Sequence, residues 1–356
     1  MQAQSPWWAQ AGTISSADVC QQPEETTVEW YRFGAGTLAL EADDFPLRQR
    51  LSQVYGECAL SASPSPTEHH MKCTVQSLTA PALVSVTCTD SVPLDAVAFL
   101  LHLFQDRGYV ELPPVLPDWR LLGKAGRSAR PLLAARRETM LVDRSQPWQA
   151  FVANYMLNRV LRLQRERLFF HAASVGIQGA GILLTGAKGA GKSTLSLALA
   201  ARGHAFLGDG LAAVHQHSGE MLPFRRAVSI RTGLRAQRVD ERLRSCPTVE
   251  ECFPDGTTRL RARIQELFPT SGAQPVPLRS AIFLRQFAPR PCLERFTPSL
   301  QHLRFVQPLG CTMWDVSPGR RLIAFLQMLS RARCYFLDVG LPETTADLIE
   351  STVEGA

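Results

Sequence analysis

The first half of the chain contains short segments in which apolar and polar residues alternate. Residues 28–33 and 82–88 follow this two-residue period and are rich in β-branched or aromatic side chains, which predicts two strands. Residues 95–107 repeat their apolar positions every three or four residues and stop before Gly108, which predicts a helix. Together these elements indicate a small α+β N-terminal domain.

A stretch rich in proline, glycine and arginine, residues 113–135, follows this half. Such a composition favours a connection over a packed element. The chain has 356 residues, which exceeds the size of roughly 250–300 residues at which a single hydrophobic core stops growing. We therefore predict two domains, one over residues 1–140 and the other over residues 141–356.

The second half opens with a longer helical pattern. Over residues 148–167 the apolar positions recur with helical period and arginines fall mostly between them, which predicts an amphipathic helix with a solvated arginine face. Two apolar runs follow, residues 168–177 and 182–185, and a glycine-containing turn over 178–181 joins them. This arrangement predicts a hairpin whose second strand leads directly into a glycine-rich loop.

The glycine-rich loop fits the pattern GxxxxGK[ST] and stands between an apolar strand and a run of helix formers that ends at Gly203. Glycines at this spacing let successive backbone N–H groups surround a phosphate chain, and the helix N-terminus adds partial positive charge. Lys192 is expected to reach the β- and γ-phosphates, and the Ser193 hydroxyl to bind Mg²⁺. The predicted nucleotide-binding residues are Gly186, Ala187, Lys188, Gly189, Ala190, Gly191, Lys192, Ser193 and Thr194.

A carboxylate follows the next apolar strand along the chain. Residues 204–209 read as a strand that ends at Asp209. In P-loop proteins an aspartate at the carboxyl end of a neighbouring strand faces the metal ion, so Asp209 is a candidate metal ligand. The alternative is that Asp209 only opens the Asp-Gly turn that follows it.

The composition of the basic residues singles out one lysine of the glycine-rich loop. The formal net charge is +6, and arginine supplies nearly all the basic groups, because the only lysines are Lys72, Lys124, Lys188 and Lys192. Arginine binds phosphate as a rigid fork and lysine as a compact charge, so Lys192 stands out as a lysine kept for its chemistry. The arginines are dispersed and do not alternate with aromatic residues, so we do not expect nucleic acid as a partner.

Cysteine usage and the apolar runs predict where the protein works. The nine cysteines are scattered without metal-binding spacing, as expected for reduced core thiols in a cytoplasmic protein. Residues 1–13 lack the charged and apolar segments of a signal peptide, and no stretch reaches the ~18 consecutive apolar residues of a membrane span. We therefore expect a cytoplasmic location and no membrane partner.

Several segments resemble the catalytic domain of HPr kinase/phosphorylase, and more closely the broader HPr-kinase-related proteins. The resemblance lies in Phe170-His171-Ala172-Ala173-Ser174-Val175, in residues 179–186 and 189–194, in Arg202-Gly203-His204 and in Leu207-Gly208-Asp209. It extends more weakly to about Val339 through residues 277–284, which resemble a late strand of these domains. It implies an α/β fold, with a P-loop HPr-kinase/PEP-carboxykinase-like C-terminal domain after the small α+β domain.

The same resemblance implies roles for two more residues. His171 is expected near the transferred phosphate, although by itself it would fit a core histidine at a strand start equally well. Asp209 is expected to act as general base toward the acceptor hydroxyl. Two positions depart from HPr kinase, since the second aspartate of its pair is Gly210 here and the acidic residue after its P-loop serine is Thr194. The later segment that recognises HPr is not found, so HPr is not the expected substrate.

These observations predict an ATP-binding kinase, a transferase that uses ATP, or GTP in its place, together with Mg²⁺. The candidate catalytic residues are Lys192, Asp209 and His171, and the candidate metal ligands are Ser193 and Asp209. The candidate arginines for assisting the transition state are Arg231 and Arg285. The acceptor implied by the resemblance is a serine of a peptide or protein.

Two other functions remain open. One is a catalytically degenerate nucleotide-binding module with a regulatory or partner-binding role, which Gly210 favours. The other is a small-molecule kinase. Residues 1–140 carry no motif that identifies a family, and they are the candidate surface for a partner protein or for a second copy of the chain.

Overall fold

The structure is a computed structural model, and it describes residues 28–64, 70–78, 83–90, 110–111, 136–144, 148–164, 166–231, 237–252, 258–272, 274–299, 310–311 and 318–354. The chain divides into two compact units. The first contains residues 1–52, 59–164 and 251–257, and the second contains residues 53–58, 165–250 and 258–356. Each unit is discontinuous in sequence, and the domain boundary after residue 140 stays a prediction. The helix predicted over residues 95–107 lies outside the described residues.

The first unit is built on a seven-stranded sheet. Its strands are β1 Val28–Phe33, β2 Gly36–Ala42, β3 Ala59–Leu60, β4 His70–Ser77, β5 Leu83–Asp90, β6 Val110–Glu111 and β7 Arg136–Asp143. They follow the order β3-β1-β2-β4-β5-β7-β6, and of these pairs only β2 and β4 run parallel. Strand β1 confirms the first predicted strand, and β5 confirms the second to within two residues at its ends.

Helix α1, Phe45–Tyr55, follows β2, and the 3₁₀ turn Gly56–Cys58 follows α1. The Asp44 carboxylate accepts a hydrogen bond of 2.7 Å from the Leu47 amide, which satisfies one of the unpaired donors of the first turn. Leu47 and Leu51 lie one turn apart and are both buried. The helix thus begins at a capping aspartate and buries one apolar stripe.

Helix α2 spans Trp148–Leu163, so it ends four residues earlier than predicted. The prediction of a solvated arginine face was wrong, because Arg159 is fully buried and Arg162 is 5% exposed. Buried residues occur on every face of this helix, so packing covers its arginines together with its apolar side chains. The Arg159 guanidinium donates a 2.6 Å hydrogen bond to the Tyr155 hydroxyl one turn earlier, so this charge is hydrogen-bonded inside the first unit.

The second unit contains most of the remaining strands, and its main sheet has ten. The strands are β8 Arg167–Phe170, β9 Ala173–Ile177, β10 Ala180–Gly186, β11 Ala205–Gly208, β12 Ala212–His215, β13 Glu220–Leu222, β14 Val228–Arg231, β15 Val249–Cys252, β16 Thr258–Ala262, β17 Val276–Phe287, β18 Cys292–Phe296, β19 Gly310–Cys311 and β20 Arg333–Val339. The main path runs β11-β9-β10-β17-β13-β12-β8-β19, with β20 joining β17 to β18, while β14, β16 and β15 form a smaller sheet.

The helices of this unit are α3 Lys192–Ala200, α4 Gln237–Ser245, α5 Ile264–Leu267, α6 Pro318–Ser330 and α7 Pro342–Glu354. Parallel and antiparallel strands are mixed in the main sheet, since β10 runs parallel to β17 and antiparallel to β9. The α/β class predicted from the sequence is therefore confirmed.

The predicted hairpin is confirmed as β9 and β10, which pair antiparallel with Ile177 opposite Ala180. The apolar run predicted over residues 168–177 is two strands, however, because the chain bends at His171 and Ala172 between β8 and β9. Strand β8 pairs with β12 and β19, whereas β9 pairs with β10 and β11. The bend leaves His171 at the end of a strand.

Alternate residues of the P-loop strand β10 enter opposite layers of the core. Ile182 and Leu184 pack with Leu195 and Leu199 of α3 in one cluster, whereas Leu183 packs with Phe325 of α6 in another. Because successive side chains of a strand point to opposite faces, a strand that is apolar throughout must be covered on both. Full burial of each such side chain contributes roughly 1.5–3 kcal/mol, which anchors the strand that leads into the loop.

Of the cysteines whose exposure the structure describes, Cys58, Cys73, Cys88 and Cys334 are buried. Cys292 is exposed, so the prediction of core thiols was wrong for this residue. Burial raises the pKa of the Cys58 thiol to about 12, which keeps it protonated. Within the described part of the chain, no helix combines the length and apolarity that a membrane crossing requires.

Candidate nucleotide-binding site

The glycine-rich loop joins β10 to α3, as its sequence predicts. Gly189 and Gly191 have φ values of 86° and 98°, in the left-handed region that side chains disfavour. Gly191 is the N-cap of α3, and its carbonyl accepts the first helical hydrogen bond, 2.9 Å from the Leu195 amide. At Gly186, a Cβ atom would lie 2.8 Å from the carbonyl oxygen of Leu284 in β17. The loop therefore packs against β17 at its first residue and ends at the N-terminus of α3.

Lys192 folds back across the loop. Its Nζ atom donates hydrogen bonds of 2.8 Å to the Gly186 carbonyl and 2.9 Å to the Ala187 carbonyl, and the residue is only 7% exposed. These bonds fix the ammonium group against the backbone whose amides are predicted to hold phosphate. The exposed loop residues are Ala187, Lys188 and Gly189, while Ala190, Gly191, Ser193 and Thr194 are half-buried.

A hydrogen bond joins the start of α3 to the end of β11. Ser193 Oγ donates to Asp209 Oδ2 at 2.8 Å, and Asp209 is 8% exposed. Strand β9 lies between β10 and β11, so the prediction that Asp209 follows the adjacent strand was wrong by one strand. Because β9 runs antiparallel to both, β11 still points the same way as β10, and the carboxyl ends of the two strands meet at one edge of the sheet.

Burial raises the pKa of the Asp209 carboxyl. The Ser193 hydrogen bond, Arg226, Lys192 and the Gly210 amide act in the opposite direction and favour the carboxylate. Asp209 Oδ1 makes no hydrogen bond of normal geometry to any residue that the structure describes. A buried carboxylate oxygen of this kind is suited to accept a proton or to bind a cation.

The residues at this edge fit a magnesium ion that is shared with phosphate. No group of three or more His, Cys, Asp and Glu side chains suited to a metal ion occurs among the described residues. Mg²⁺ needs no such group, because it binds through one or two protein oxygens, substrate phosphates and waters. Ser193 Oγ and Asp209 supply oxygens of this type.

His171 lies at the bend between β8 and β9. Its Nδ1 is 3.1 Å from the carbonyl oxygen of Gly210, and because a carbonyl only accepts, Nδ1 carries the proton. Burial and the nearby Lys192 lower the pKa of His171 to about 4, and Arg226 and Lys188 add to this effect. The imidazole is therefore neutral near pH 7, with Nε2 as a proton acceptor.

One arginine at the site was missed by sequence reasoning. Of the arginines predicted to assist, Arg285 pairs with Asp338 and Glu294 and Arg231 is exposed in β14, and their roles stay predictions. Arg226 Nε donates instead to the backbone carbonyl of Asp209 at 3.1 Å. Nothing in the sequence around Arg226 marks it as a site residue, because only the folding of the chain brings it to the Asp209 turn.

The part of the chain that holds these residues is similar to a known family. Residues 163–234, which include His171, the P-loop, Asp209 and Arg226, match the family described as the HPr Serine kinase C-terminal domain. This part of the chain is therefore similar to the C-terminal domain of HPr kinases.

A solved structure of an HPr(Ser) kinase/phosphatase from Coxiella burnetii is also similar to the chain, at 16% identity. The match covers 52% of this chain and 94% of that chain, with a TM-score of 0.26. That score is too low to support conclusions about geometry, so the HPr-kinase relation rests on the family match. Among curated proteins, none matches the chain.

Proposed function

We propose that the protein is a kinase that transfers a phosphoryl group from ATP to a hydroxyl group, with a serine of a peptide or protein as the acceptor. The observation that carries the proposal is the 2.8 Å hydrogen bond between Ser193 Oγ and Asp209 Oδ2, which brings a buried carboxylate to the start of the P-loop helix. A glycine-rich loop by itself only binds phosphates, whereas a carboxylate beside it adds a proton acceptor. The match to a serine kinase domain supports the same chemistry.

In this proposal the loop binds and positions the nucleotide. Backbone amides from Gly186 to Thr194 and the N-terminus of α3 surround the phosphates, and Lys192 places its ammonium group at the β- and γ-phosphates. Catalysis of this kind rests on positioning and on charge stabilisation. Mg²⁺ would be held by Ser193 and Asp209 and would neutralise charge on the phosphates.

Asp209 acts as the general base. It accepts the proton of the acceptor hydroxyl as the hydroxyl oxygen forms its bond to the γ-phosphorus, and the bond from that phosphorus to the β–γ bridging oxygen breaks, so that the electron pair leaves with ADP. Burial suits Asp209 to this role, because it raises the pKa of the carboxyl and makes the carboxylate a better proton acceptor. Neutral His171 adjoins the same turn and adds no positive charge of its own near pH 7.

A second candidate function is a nucleotide-binding module that no longer catalyses. Gly210 favours it, because the residue after Asp209 carries no carboxylate that could help to hold Mg²⁺. In that case bound nucleotide would organise a surface for a partner protein.

Mass spectrometry tests the proposal directly. The protein is incubated with ATP, Mg²⁺ and a library of serine-containing peptides, and both ATP consumption and phosphopeptides are measured. Wild type is expected to produce phosphoserine, and Asp209→Asn to lower turnover by about 100-fold or more while keeping ATP binding. Asp347→Asn is the matched control, since Asp347 is an exposed carboxylate that pairs with Arg202.

Two results would contradict the proposal. If wild type binds ATP without consuming it, and Asp209→Asn behaves in the same way, the degenerate module is the correct function. If ATP is consumed and phosphate is found only on a metabolite when a small-molecule extract replaces the peptides, the protein is a small-molecule kinase.

A further inference from the structure

The turn after Asp209 is shaped around an arginine. Gly210 has a φ of 71°, in the left-handed region, and its carbonyl oxygen lies 3.1 Å from His171 Nδ1. A Cβ atom at position 210 would collide with the guanidinium of Arg226, whose Cζ lies 3.1 Å from that position. The space that any side chain of residue 210 would need is therefore taken by a positive charge.

The backbone on both sides of Arg226 is fixed. The Phe224 amide donates a 2.7 Å hydrogen bond to the Leu207 carbonyl in β11, and the Ala227 amide donates a 2.8 Å bond to the Val54 carbonyl. Phe224 and Ala227 are both buried. The anchored backbone gives the side chain a defined starting point, and the 3.1 Å bond from Arg226 Nε to the Asp209 carbonyl places the guanidinium beside Asp209.

Arg225, the neighbouring residue, has a structural role and serves as a comparison for Arg226. Arg225 Nε donates to the Phe206 carbonyl at 3.0 Å, and its Nη2 donates to the Ser271 carbonyl at 2.7 Å, so this side chain ties β11 to a loop of the same unit. Arg226 instead turns toward the P-loop edge, where Asp209 and His171 lie.

Positive side chains gather at this turn. Lys192, Arg226 and Lys188 all act on His171, and of these Lys192 and Arg226 also act on the Asp209 carboxylate. An arrangement of several cations at the edge that carries the glycine-rich loop is suited to a ligand with several negative charges. Arginine is the side chain best shaped for such a ligand, because its planar donors match two phosphate oxygens at once.

We propose that Arg226 binds the terminal phosphate of the nucleotide, and that residue 210 is glycine because a side chain there would displace this arginine. The inference rests on the proposed function and adds a residue to its site. A Cβ atom at position 210 and the Arg226 guanidinium cannot hold these positions together, so a side chain there would force the arginine to move.

Titration calorimetry with ATP and with ADP, each in Mg²⁺, tests the contact. In Arg226→Gln, the affinity for ATP is expected to fall about 10-fold to 100-fold, because a charge-assisted pair is lost, and the affinity for ADP to change less than about 3-fold. Arg226→Lys keeps the charge without the fork and should fall between wild type and Arg226→Gln. Arg244→Gln, which removes an exposed arginine from α4, is the matched control and should leave both affinities unchanged.

Gly210→Ala provides an independent variant, because it leaves Arg226 in the sequence and displaces its side chain. It should reduce ATP affinity more than ADP affinity, in the same direction as Arg226→Gln. Thermal unfolding of each variant shows whether it is folded. In folded variants, equal losses for ATP and ADP, or no loss for either, would overturn the inference.

These outcomes are separable from a failure of the proposed function. A wild-type protein that binds ATP more tightly than ADP through Arg226, yet never phosphorylates a hydroxyl, contradicts the kinase and leaves the Arg226 contact standing. A wild-type protein that phosphorylates a peptide while Arg226→Gln keeps the ratio of ATP affinity to ADP affinity contradicts only the Arg226 contact.

Discussion

The glycine-rich loop and the Asp209–Gly210 turn meet through one hydrogen bond, from Ser193 to Asp209, but they are built in opposite ways. The loop is a run of consecutive residues whose backbone supplies the binding groups. The turn collects side chains from distant parts of the sequence, namely His171, Asp209 and Arg226. This difference teaches that the two regions should respond differently to substitution, because changes in the loop should mainly alter nucleotide affinity, a change at Asp209 should mainly alter turnover, and a change at Arg226 should mainly alter the preference for ATP over ADP.

Lys192→Met should have the largest effect on the loop. The ammonium group is predicted to lie at the β- and γ-phosphates, and loss of such charged contacts, worth roughly 3 kcal/mol, should weaken ATP binding about 100-fold or more. Calorimetry with ATP and Mg²⁺ measures the change. Lys72→Met serves as the control, because Lys72 is a half-exposed lysine of the first unit that pairs with Glu41. Unchanged ATP affinity in Lys192→Met would refute a nucleotide site at this loop.

Ser193→Ala should show whether the two regions share a metal ion. If Ser193 Oγ binds Mg²⁺ together with Asp209, the variant should lose about 10-fold in ATP affinity with Mg²⁺ present and almost nothing in EDTA. The comparison requires four titrations, of wild type and variant with and without Mg²⁺. An equal loss under both conditions would mean that the hydroxyl only supports the loop.

His171→Gln should change how stability depends on pH. Unfolded histidine has a pKa near 6.5, and the folded environment lowers the pKa of His171 to about 4, so between these values only the unfolded chain takes up this proton. Wild type should therefore lose stability as pH falls from 6.5 toward 4, and the variant should lose less of it. Melting temperatures at pH 7 and pH 5 measure the effect, with His217→Gln as a control at an exposed histidine. The same pH dependence in His171→Gln and wild type would contradict a buried neutral imidazole.

Gly189→Ala should have the smallest effect of these variants, and it tests the backbone conformation of the loop. No atom lies within 4 Å of a Cβ placed at Gly189, so the cost comes only from its φ of 86° and should be about 1 kcal/mol of unfolding free energy. Gly186→Ala should cost more, because its Cβ would meet the Leu284 carbonyl at 2.8 Å. Urea unfolding measures the free energy of unfolding of the two variants. An equal loss would show that the contact between residue 186 and β17 can adjust without strain.

Sequence reasoning succeeded where the signal is local. The order of apolar strand, glycine loop and helix is written in consecutive residues, so β10, the loop and α3 were predicted together with the hairpin that precedes them. The late strand over residues 277–284 was also predicted and is β17, the parallel partner of β10. Asp209 was placed at the end of a strand correctly, but the number of strands between it and the loop depends on pairing that no local pattern encodes.

Prediction from the sequence failed where burial depends on the whole fold. The arginines of α2 follow an amphipathic pattern, yet Arg159 is fully buried, because packing covers the helix on all sides. Arg226 was missed for a related reason. A sequence lists every arginine alike, and the bond from Arg226 to the Asp209 carbonyl exists only in the folded chain.

The short segment 53–58 has a practical consequence for any attempt to isolate the kinase-like half. It belongs to the second unit, where Val54 accepts the bond from Ala227 and Glu57 accepts a 2.9 Å bond from the Gln265 amide. A fragment that starts at residue 141 would lack both acceptors and leave the buried Ala227 amide unsatisfied, at a cost of about 1–3 kcal/mol, directly beside Arg226. The candidate site thus depends on residues 53–58, and we expect a fragment made by a single cut near residue 140 to be less stable than the same residues in the full chain.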